Sequence, residues 1–529
     1  MTIRNLATAA EGQTDAAAYC IVGGGIAGLL LATRLARQNR KVIVLESGTM
    51  SHDADIHALN EIDDPGGRYD RALTGRYRGL GGSSSRWGGR MIPISDEDQG
   101  LREHVSQPEW PNAPQALGRY QNELEELFSV GHDSFEGIED IAPGSSGLLL
   151  ADQDDFRARW AKVPTFKRCN IVTMLGDEIR SSPNISVWLG ATVCDFELDT
   201  ETGRLKAVKA LSLTGQGITI RARDFTIAAG TIESTRLLLL LDEASGNHAF
   251  ERTDALGRYF QDHLKAEIAV VERQRADLTN HLFSYRFIKG TRRDLHLELS
   301  HGAQQGDAVS SSFVYVSMDL GNSGLAAVKN IAHGLQRRKV NPEDIRTAAK
   351  DVGLIAKGAF WRLWHKQLYV PPGINFRLMT SIEQLPDPQN RIRLSAKTDR
   401  LGVRKPLFEW KPRAPDERTF QSTISHLRRY WERSGFDSLC PLTWAPGVGD
   451  PNVQIIDRAE ACAHPSGSTR MGTDPATSVV GPDLRCHNVP NVAVASASVF
   501  PTAGSANPTF TIMKLALWLA DSYLQMPLL

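Results

Sequence analysis

The sequence predicts a mixed fold, α/β joined to α+β: a parallel sheet with helices, interleaved with a second domain of antiparallel sheet and helices. Three observations carry this reading. A strand–loop–helix–strand pattern with three spaced glycines runs from Tyr19 to Glu46. Short β-like runs recur from Ala266 to Leu394. The carboxy-terminal segment then returns to βα character.

The first unit is built from local chemistry. Tyr19-Cys20-Ile21-Val22 is a β-like apolar run that enters Gly23-Gly24-Gly25-Ile26-Ala27-Gly28, and a helical stretch follows from Leu29 to Gln38. Lys41 to Leu45 is a second β run ending at Glu46. In such a βαβ unit Gly23 permits the tight turn, Gly25 lets a pyrophosphate approach the backbone, and Gly28 lets helix and strand pack closely. The helix N-terminus offers free N–H groups to phosphate. Glu46 stands ~20 residues beyond Gly25, where an acid accepts hydrogen bonds from ribose hydroxyls and disfavours a 2′-phosphate. The pattern marks a Rossmann-like dinucleotide site and leaves FAD and NAD open.

Further along, residues 113–130 read as a helix, with Leu117, Tyr120, Leu124 and Leu127 at spacings of three and four. Residues 191–228 read as successive strands with turns at Thr202-Gly203 and Gly215-Gln216-Gly217, and a helix opens at Ser234. The runs Ala266–Val271, Leu295–Leu299, Ser312–Met318, Asn375–Thr380 and Arg391–Leu394 predict the antiparallel sheet. A basic, helical insert lies between them at 324–369.

Composition narrows the function classes. The 529 residues carry a net charge of −1, which removes electrostatic attraction to nucleic acid or anionic lipid as the default function. Six scattered cysteines form no CxxC pair and no metal-ligand spacing, so no metal is expected. With no apolar signal segment in the first residues, the expectation is a cytoplasmic protein with reduced cysteines.

Two further segments carry chemistry. Leu80 to Gly89 holds four glycines, three serines and Trp87, a composition that can wrap a flat cofactor. Near the end stand His464-Pro465-Ser466-Gly467, Ser496-Ala497-Ser498 and Asn507-Pro508-Thr509. Asn507 reads as a helix N-cap, with Pro508 in the first turn. A helix starting there favours negative charge on a neighbouring group.

These blocks together resemble the glucose–methanol–choline (GMC) oxidoreductases, FAD-dependent enzymes that oxidise alcohols. The resemblance rests on IVGGGIAG, the GGSS loop, AAGTIESTRLLL (228–239), LGRYFQDH (256–263), EQLPDPQNRIRLS (383–395), HPSGSTRMG and SASVFPTAGSANPTFTI, in that order. The GGSSxRW and HPSGSTRMG blocks look most like the pyranose-oxidase and bacterial sugar-dehydrogenase branch.

The resemblance implies roles. His464 and Asn507 correspond to the catalytic pair: His464 takes the hydroxyl proton, Asn507 supports the substrate oxygen, and hydride passes to flavin N5. Gly23, Gly25, Gly28 and Glu46 would hold the ADP half of FAD. Gly81, Gly82, Ser83 and Ser84 would lie against the flavin and ribityl part, and Val193 against adenine. Ala229, Gly230, Ala497 and Pro508 would complete the cofactor contacts. The implied substrate is a sugar, glycoside or polyol, with a non-sugar alcohol or a redox-neutral lyase reaction as alternatives. The implied acceptor is oxygen, a quinone or a redox protein. Arg377 and Gln384 are candidate hydroxyl ligands, and Trp361 or Trp364 candidate stacking surfaces.

Two departures stand out. Some members link FAD covalently through a histidine in the GGSS region, but Arg86 occupies that register and no histidine lies between Asn60 and Glu103, so FAD should bind non-covalently. Where many members carry an acid before the last serine block, this chain has Ser496-Ala497. The implied FAD domain takes residues 15–105, 185–264 and 455–529, and the substrate domain takes 106–184 and 265–454. The 324–369 insert reads as a solvated cap, with membrane or partner docking as the alternative.

Overall fold

The apolar run at Tyr19 is the end of a longer strand, Gln13–Val22, which pairs in parallel with Val42–Glu46 on one side and Gly217–Ile227 on the other. The computed structural model describes residues 2–111, 114–136, 154–199, 201–319, 321, 330–331 and 341–525. Across the first sheet the strands run Ile3–Asn5, Ile185–Leu189, Val42–Glu46, Gln13–Val22, Gly217–Ile227, Leu205–Leu211 and Thr192–Leu198. Val492–Val494 adds in parallel to the far end of Gly217–Ile227. The 191–228 region is therefore an antiparallel meander that extends the parallel sheet, turning at Gly203 and Gly215, both with positive φ.

The crossover helix Ile26–Arg37 buries Leu29, Leu30, Leu31 and Leu35 against this sheet. It packs beside the last helix, Thr509–Gln525, and the helix Ile171–Ser181. Leu124, Phe128, Ile171 and Leu175 belong to the same apolar core. The 106–184 segment is thus shared: these helices join the first core, while Phe156–Val163 joins the second sheet.

The second sheet is antiparallel, in the order Arg286–Ile288, Thr291–Leu299, Ser312–Ser317, Phe376–Ile382, Leu264–Val271 and Leu442–Trp444. Phe156–Val163 pairs with Thr291–Leu299 over eight residues, a strand that the sequence reading did not mark. Arg391–Leu394 lies outside this sheet: Arg391–Thr398 forms a separate hairpin with Arg404–Glu409, because Asp399 and Gly402 close a tight turn between them. The amphipathic helix Ala414–Arg433 covers the sheet, burying Phe420, Ile424, Leu427 and Trp431. Helix Gly230–Ala244 ties the two cores, with Ile232 in one and Leu237, Leu238 and Leu241 in the other.

Of the basic insert, 324–329 and 332–340 lie outside the described residues. The rest forms helices Pro342–Lys350 and Val352–Phe360, then a wide helical turn Trp361–His365. Among the described residues no helix is long and apolar enough to cross a membrane, and no cluster of metal-ligating side chains occurs. All six cysteines are free thiols.

Candidate active site

A cleft with about 1340 Å³ of empty space, part of it open to solvent, runs along the carboxy ends of the parallel strands. That edge is where open α/β sheets bind ligands. Gly23, Gly25, Glu46, Gly82, Ser83, Ser84, Val193, Ala229, Gly230, Ala497, Pro508 and His464 all line it. Gly28, Gly81 and Asn507 are not among the lining residues. Gly28 serves packing: a Cβ there would sit 2.0 Å from the Gly23 carbonyl oxygen. Gly81 donates its N–H to the Gly24 carbonyl at 2.8 Å, joining the two glycine loops.

The residues present fit a bound dinucleotide on three counts. A Cβ built on Gly25 would meet nothing within 4 Å, so open space faces the start of helix Ile26–Arg37, and no side chain caps that helix. Glu46 accepts the N–H groups of Gly24 (2.8 Å), Gly48 (2.8 Å) and Gly79 (3.1 Å), which fix its carboxylate at the end of its strand. Burial nevertheless pushes its pKa up. Arg76 faces the cleft and bonds the carbonyls of Ala72 (2.8 Å) and Asn60, but it pairs with no carboxylate among the described residues. Burial lowers its pKa to about 10, so an anionic ligand beside it would be stabilised.

The GGSS loop is a turn of 3-10 helix, Gly82–Ser85. Ser84 Oγ donates to the Gly81 carbonyl at 2.6 Å, whereas Ser83 is exposed to the cleft. Trp87 packs edge-on to Phe128 and donates its indole N–H to the Cys169 carbonyl at 2.8 Å, pinning the loop. Arg86 lies over the Tyr77 ring.

At the other end of the cleft, His464 Nε2 lies 3.3 Å from Asn507 Nδ2, across 43 residues of chain. Asn507 does not cap the last helix as its sequence position suggests. The Pro508 carbonyl accepts the first helical bond, from Ile512 N at 3.0 Å. The Asn507 side chain instead turns to His464, and its Oδ1 has no hydrogen-bond partner among the described residues.

His464 is wired from behind. Its Nδ1 is 3.0 Å from His263 Nδ1, and His263 Nε2 is 2.7 Å from the Gly504 carbonyl oxygen. A carbonyl only accepts, so His263 carries its proton on Nε2 and offers a lone pair at Nδ1. His464 must then donate from Nδ1, which leaves its Nε2 lone pair facing Asn507 and the cleft. Burial first, then the charges of His263, Arg90 and Lys265, hold the His464 pKa well below the ordinary histidine value. Burial lowers His263 as well, so both rings are neutral near pH 7.

The scaffold behind these rings is continuous. Arg102 donates to both oxygens of Glu383 at 2.6 and 2.8 Å, and Glu383 accepts the Gly504 N–H at 2.9 Å. Asp262 accepts the His464 N–H and the Tyr69 hydroxyl, each at 2.8 Å; burial raises its pKa to about 7. His263, Gly504, Glu383 and Arg76 were not marked by the sequence reading, although the LGRYFQDH and EQLPDP blocks contained two of them.

The remaining candidates stand elsewhere. Gln384 is buried and spends its amide on Trp410 (2.7 Å) and Asp416 (3.2 Å). Arg377 is half exposed on its strand beside Glu267. Trp361 is buried against His281 and Tyr369, and Trp364 is 76% exposed. None of the four lines the cleft.

Comparison with known proteins adds to this geometry. Residues 386–516 match the family model described as GMC oxidoreductase, and residues 21–51 match an NAD(P)-binding Rossmann-like domain. The chain is 23% identical to 6'''-hydroxyparomomycin C oxidase of Streptomyces lividus, over 94% of this chain and 89% of that protein. It is 25% identical to the fructose dehydrogenase large subunit of Gluconobacter japonicus, over 63% of this chain and 53% of that one. Among solved structures, Aspergillus oryzae formate oxidase superposes with a TM-score of 0.59 at 16% identity, covering 97% of this chain and 98% of the other.

Proposed function

From the premise that the chain belongs to the GMC oxidoreductase family, we propose that it oxidises a secondary hydroxyl of a sugar, glycoside or polyol to the ketone. The observation that supports this reading best is the pair His464 and Asn507, 3.3 Å apart beside the cleft, with His464 held neutral from behind. In the proposed reaction the substrate hydroxyl proton goes to His464 Nε2 as the O–H bond breaks. The Asn507 Nδ2–H donates to the developing alkoxide and stabilises its charge. Bound FAD would supply the two-electron acceptor that oxidation of the substrate to the carbonyl requires. His263 keeps the His464 tautomer fixed throughout, and Asp262 holds its backbone.

Gly23, Gly25, Gly82, Ser83 and Glu46 would hold the dinucleotide non-covalently, with Arg76 near its negative charge. Val193, Ala229, Gly230, Ala497 and Pro508 would complete the walls. The sugar reading draws on relatives whose names include an oxidase of 6'''-hydroxyparomomycin C and a fructose dehydrogenase.

The test is anaerobic mixing of the FAD-loaded enzyme with a panel of sugars, glycosides and simple alcohols, followed at the flavin absorbance. Bleaching by ring hydroxyl compounds supports the reading. Bleaching by simple alcohols alone would move the substrate to the non-sugar class. Later admission of oxygen separates an oxidase from a dehydrogenase that uses a quinone or redox protein.

A further inference from the structure

We infer that the face formed by Val352–His365 docks on an anionic phospholipid bilayer. Eleven large apolar side chains are exposed among the described residues, and five of them, Ile345, Val352, Phe360, Leu363 and Trp364, fall within 345–364. Four of these are in the helix Val352–Phe360 and the wide turn that follows it, exposed by 53–76%. Val352, Phe360 and Leu363 recur at spacings of eight and three, which puts them on one side of a helical segment. Phe360 and Trp364 stack with ring centroids 6.2 Å apart. The opposite side is anchored, because Trp361 is buried against His281 and Tyr369. The segment is therefore held by the protein on one side while its outer side is apolar, a concentration that isolated exposed residues do not produce.

Charge identifies the occupant. From Val352 to Tyr369 the chain carries Lys357, Arg362 and Lys366 and no Asp or Glu. Lys357 reaches Asp277 only at 3.7 Å. Arg362 lies over the Phe287 ring, and Lys366 donates to the Leu363 carbonyl at 2.7 Å. Neither meets a carboxylate among the described residues. Lys350 and Arg346, on the preceding helix, are exposed as well; that helix also carries Glu343 and Asp344, and Asp351 follows it, so 342–369 holds five Lys and Arg against three Asp and Glu. Indole, phenyl and leucyl groups beside an excess of lysine and arginine suit the headgroup layer of a negatively charged leaflet. A second copy of the chain would bring two positive faces together, which is unfavourable. A protein partner would normally meet a patch depleted in lysine.

The test is flotation of the full-length, FAD-loaded protein with vesicles of phosphatidylcholine, alone or mixed with phosphatidylglycerol. The expected result is partition to the mixed vesicles, falling about tenfold in Leu363→Asp/Trp364→Asp and about tenfold in Lys350→Glu/Lys366→Glu. Flavin content and turnover of a soluble substrate report that both variants remain folded. Failure of the wild type to float, or flotation of either variant equal to that of the wild type, would overturn the proposal. So would a wild-type dimer in sedimentation velocity, without vesicles, that Leu363→Asp/Trp364→Asp dissociates; the face would then belong to a second copy.

Discussion

His464 and His263 face one another through their Nδ1 atoms at 3.0 Å, and only one of the two nitrogens can carry a proton in that bond. The Gly504 carbonyl at 2.7 Å from His263 Nε2 decides which. A backbone oxygen thus sets, two rings away, the side of His464 on which the free lone pair lies. Replacing His263 by Leu removes the acceptor and lets His464 adopt either tautomer. Stopped-flow flavin reduction is expected to slow by roughly 10–100-fold with FAD content unchanged, the scale on which outer hydrogen-bond partners act. Because a protonated His263 would repel a second charge on His464, its removal should move the acid limb of the pH profile upward. A variant with wild-type rate and an unmoved limb would remove His263 from the mechanism.

The proton acceptor itself has a sharper signature. His464→Ala is expected to slow flavin reduction by about 10²–10⁴-fold, the usual contribution of a positioned base. The wild-type pH profile follows from the direction of the shift. A base works only when unprotonated, and the His464 pKa is pushed down, so activity should hold through neutral pH and fall only below the ordinary histidine range.

Asn507→Asp tests the pair from its other member. A carboxylate 3.3 Å from Nε2 would stabilise the imidazolium and raise the His464 pKa. The acid limb should then move to higher pH, and the developing alkoxide would meet a like charge. A pH–rate profile of Asn507→Asp superimposable on that of the wild type would show that the two side chains do not act together.

What could be read from the sequence, and what could not, divides by chain distance. The Gly23–Gly28 turn and Glu46 were legible because their demands are met within one βαβ unit. The antiparallel sheet was legible strand by strand, yet Phe156–Val163 was missed because its partner lies more than a hundred residues on. Asn507 illustrates a conflict of roles: its residue type fits a helix cap, but Pro508 supplies the first carbonyl and the amide is turned to His464. The chain from Arg102 through Glu383 and Gly504 to His263 joins residues far apart in sequence, and no local pattern announces it. Gln384 and Arg377 were chosen by residue type, and type does not reveal that Trp410 and Asp416 already occupy the Gln384 amide.

The buried pair behind the site gives a stability prediction. Arg102 and Glu383 are both essentially inaccessible to solvent and bonded through two contacts of 2.6 and 2.8 Å. Arg102→Met would leave the Glu383 carboxylate buried without a cation, at a cost of about 3–5 kcal/mol. Arg102→Met/Glu383→Leu should recover most of that loss in thermal unfolding, but not the turnover, since Gly504 would lose its acceptor. If Arg102→Met melted with the wild type, Glu383 would not depend on its partner.

Two glycines of one motif should separate folding from cofactor binding. Gly28→Ala would drive a methyl to 2.0 Å from the Gly23 carbonyl oxygen, a clash between backbone and a fixed Cβ that no rotamer relieves. The helix would have to shift from the sheet, so the apoprotein itself should lose stability along with FAD. Gly25→Ala is different: its φ is −79°, which any residue adopts, and its methyl would meet nothing within 4 Å. The apoprotein should melt within about 0.5 kcal/mol of wild type, as at an unconstrained site. The methyl would instead occupy the space at the helix start where a pyrophosphate must approach the N–H groups. Purified Gly25→Ala is therefore expected to be folded and largely free of flavin, measured as absorbance near the flavin band per mole of protein. Full flavin content in Gly25→Ala would mean that the diphosphate lies elsewhere along the cleft.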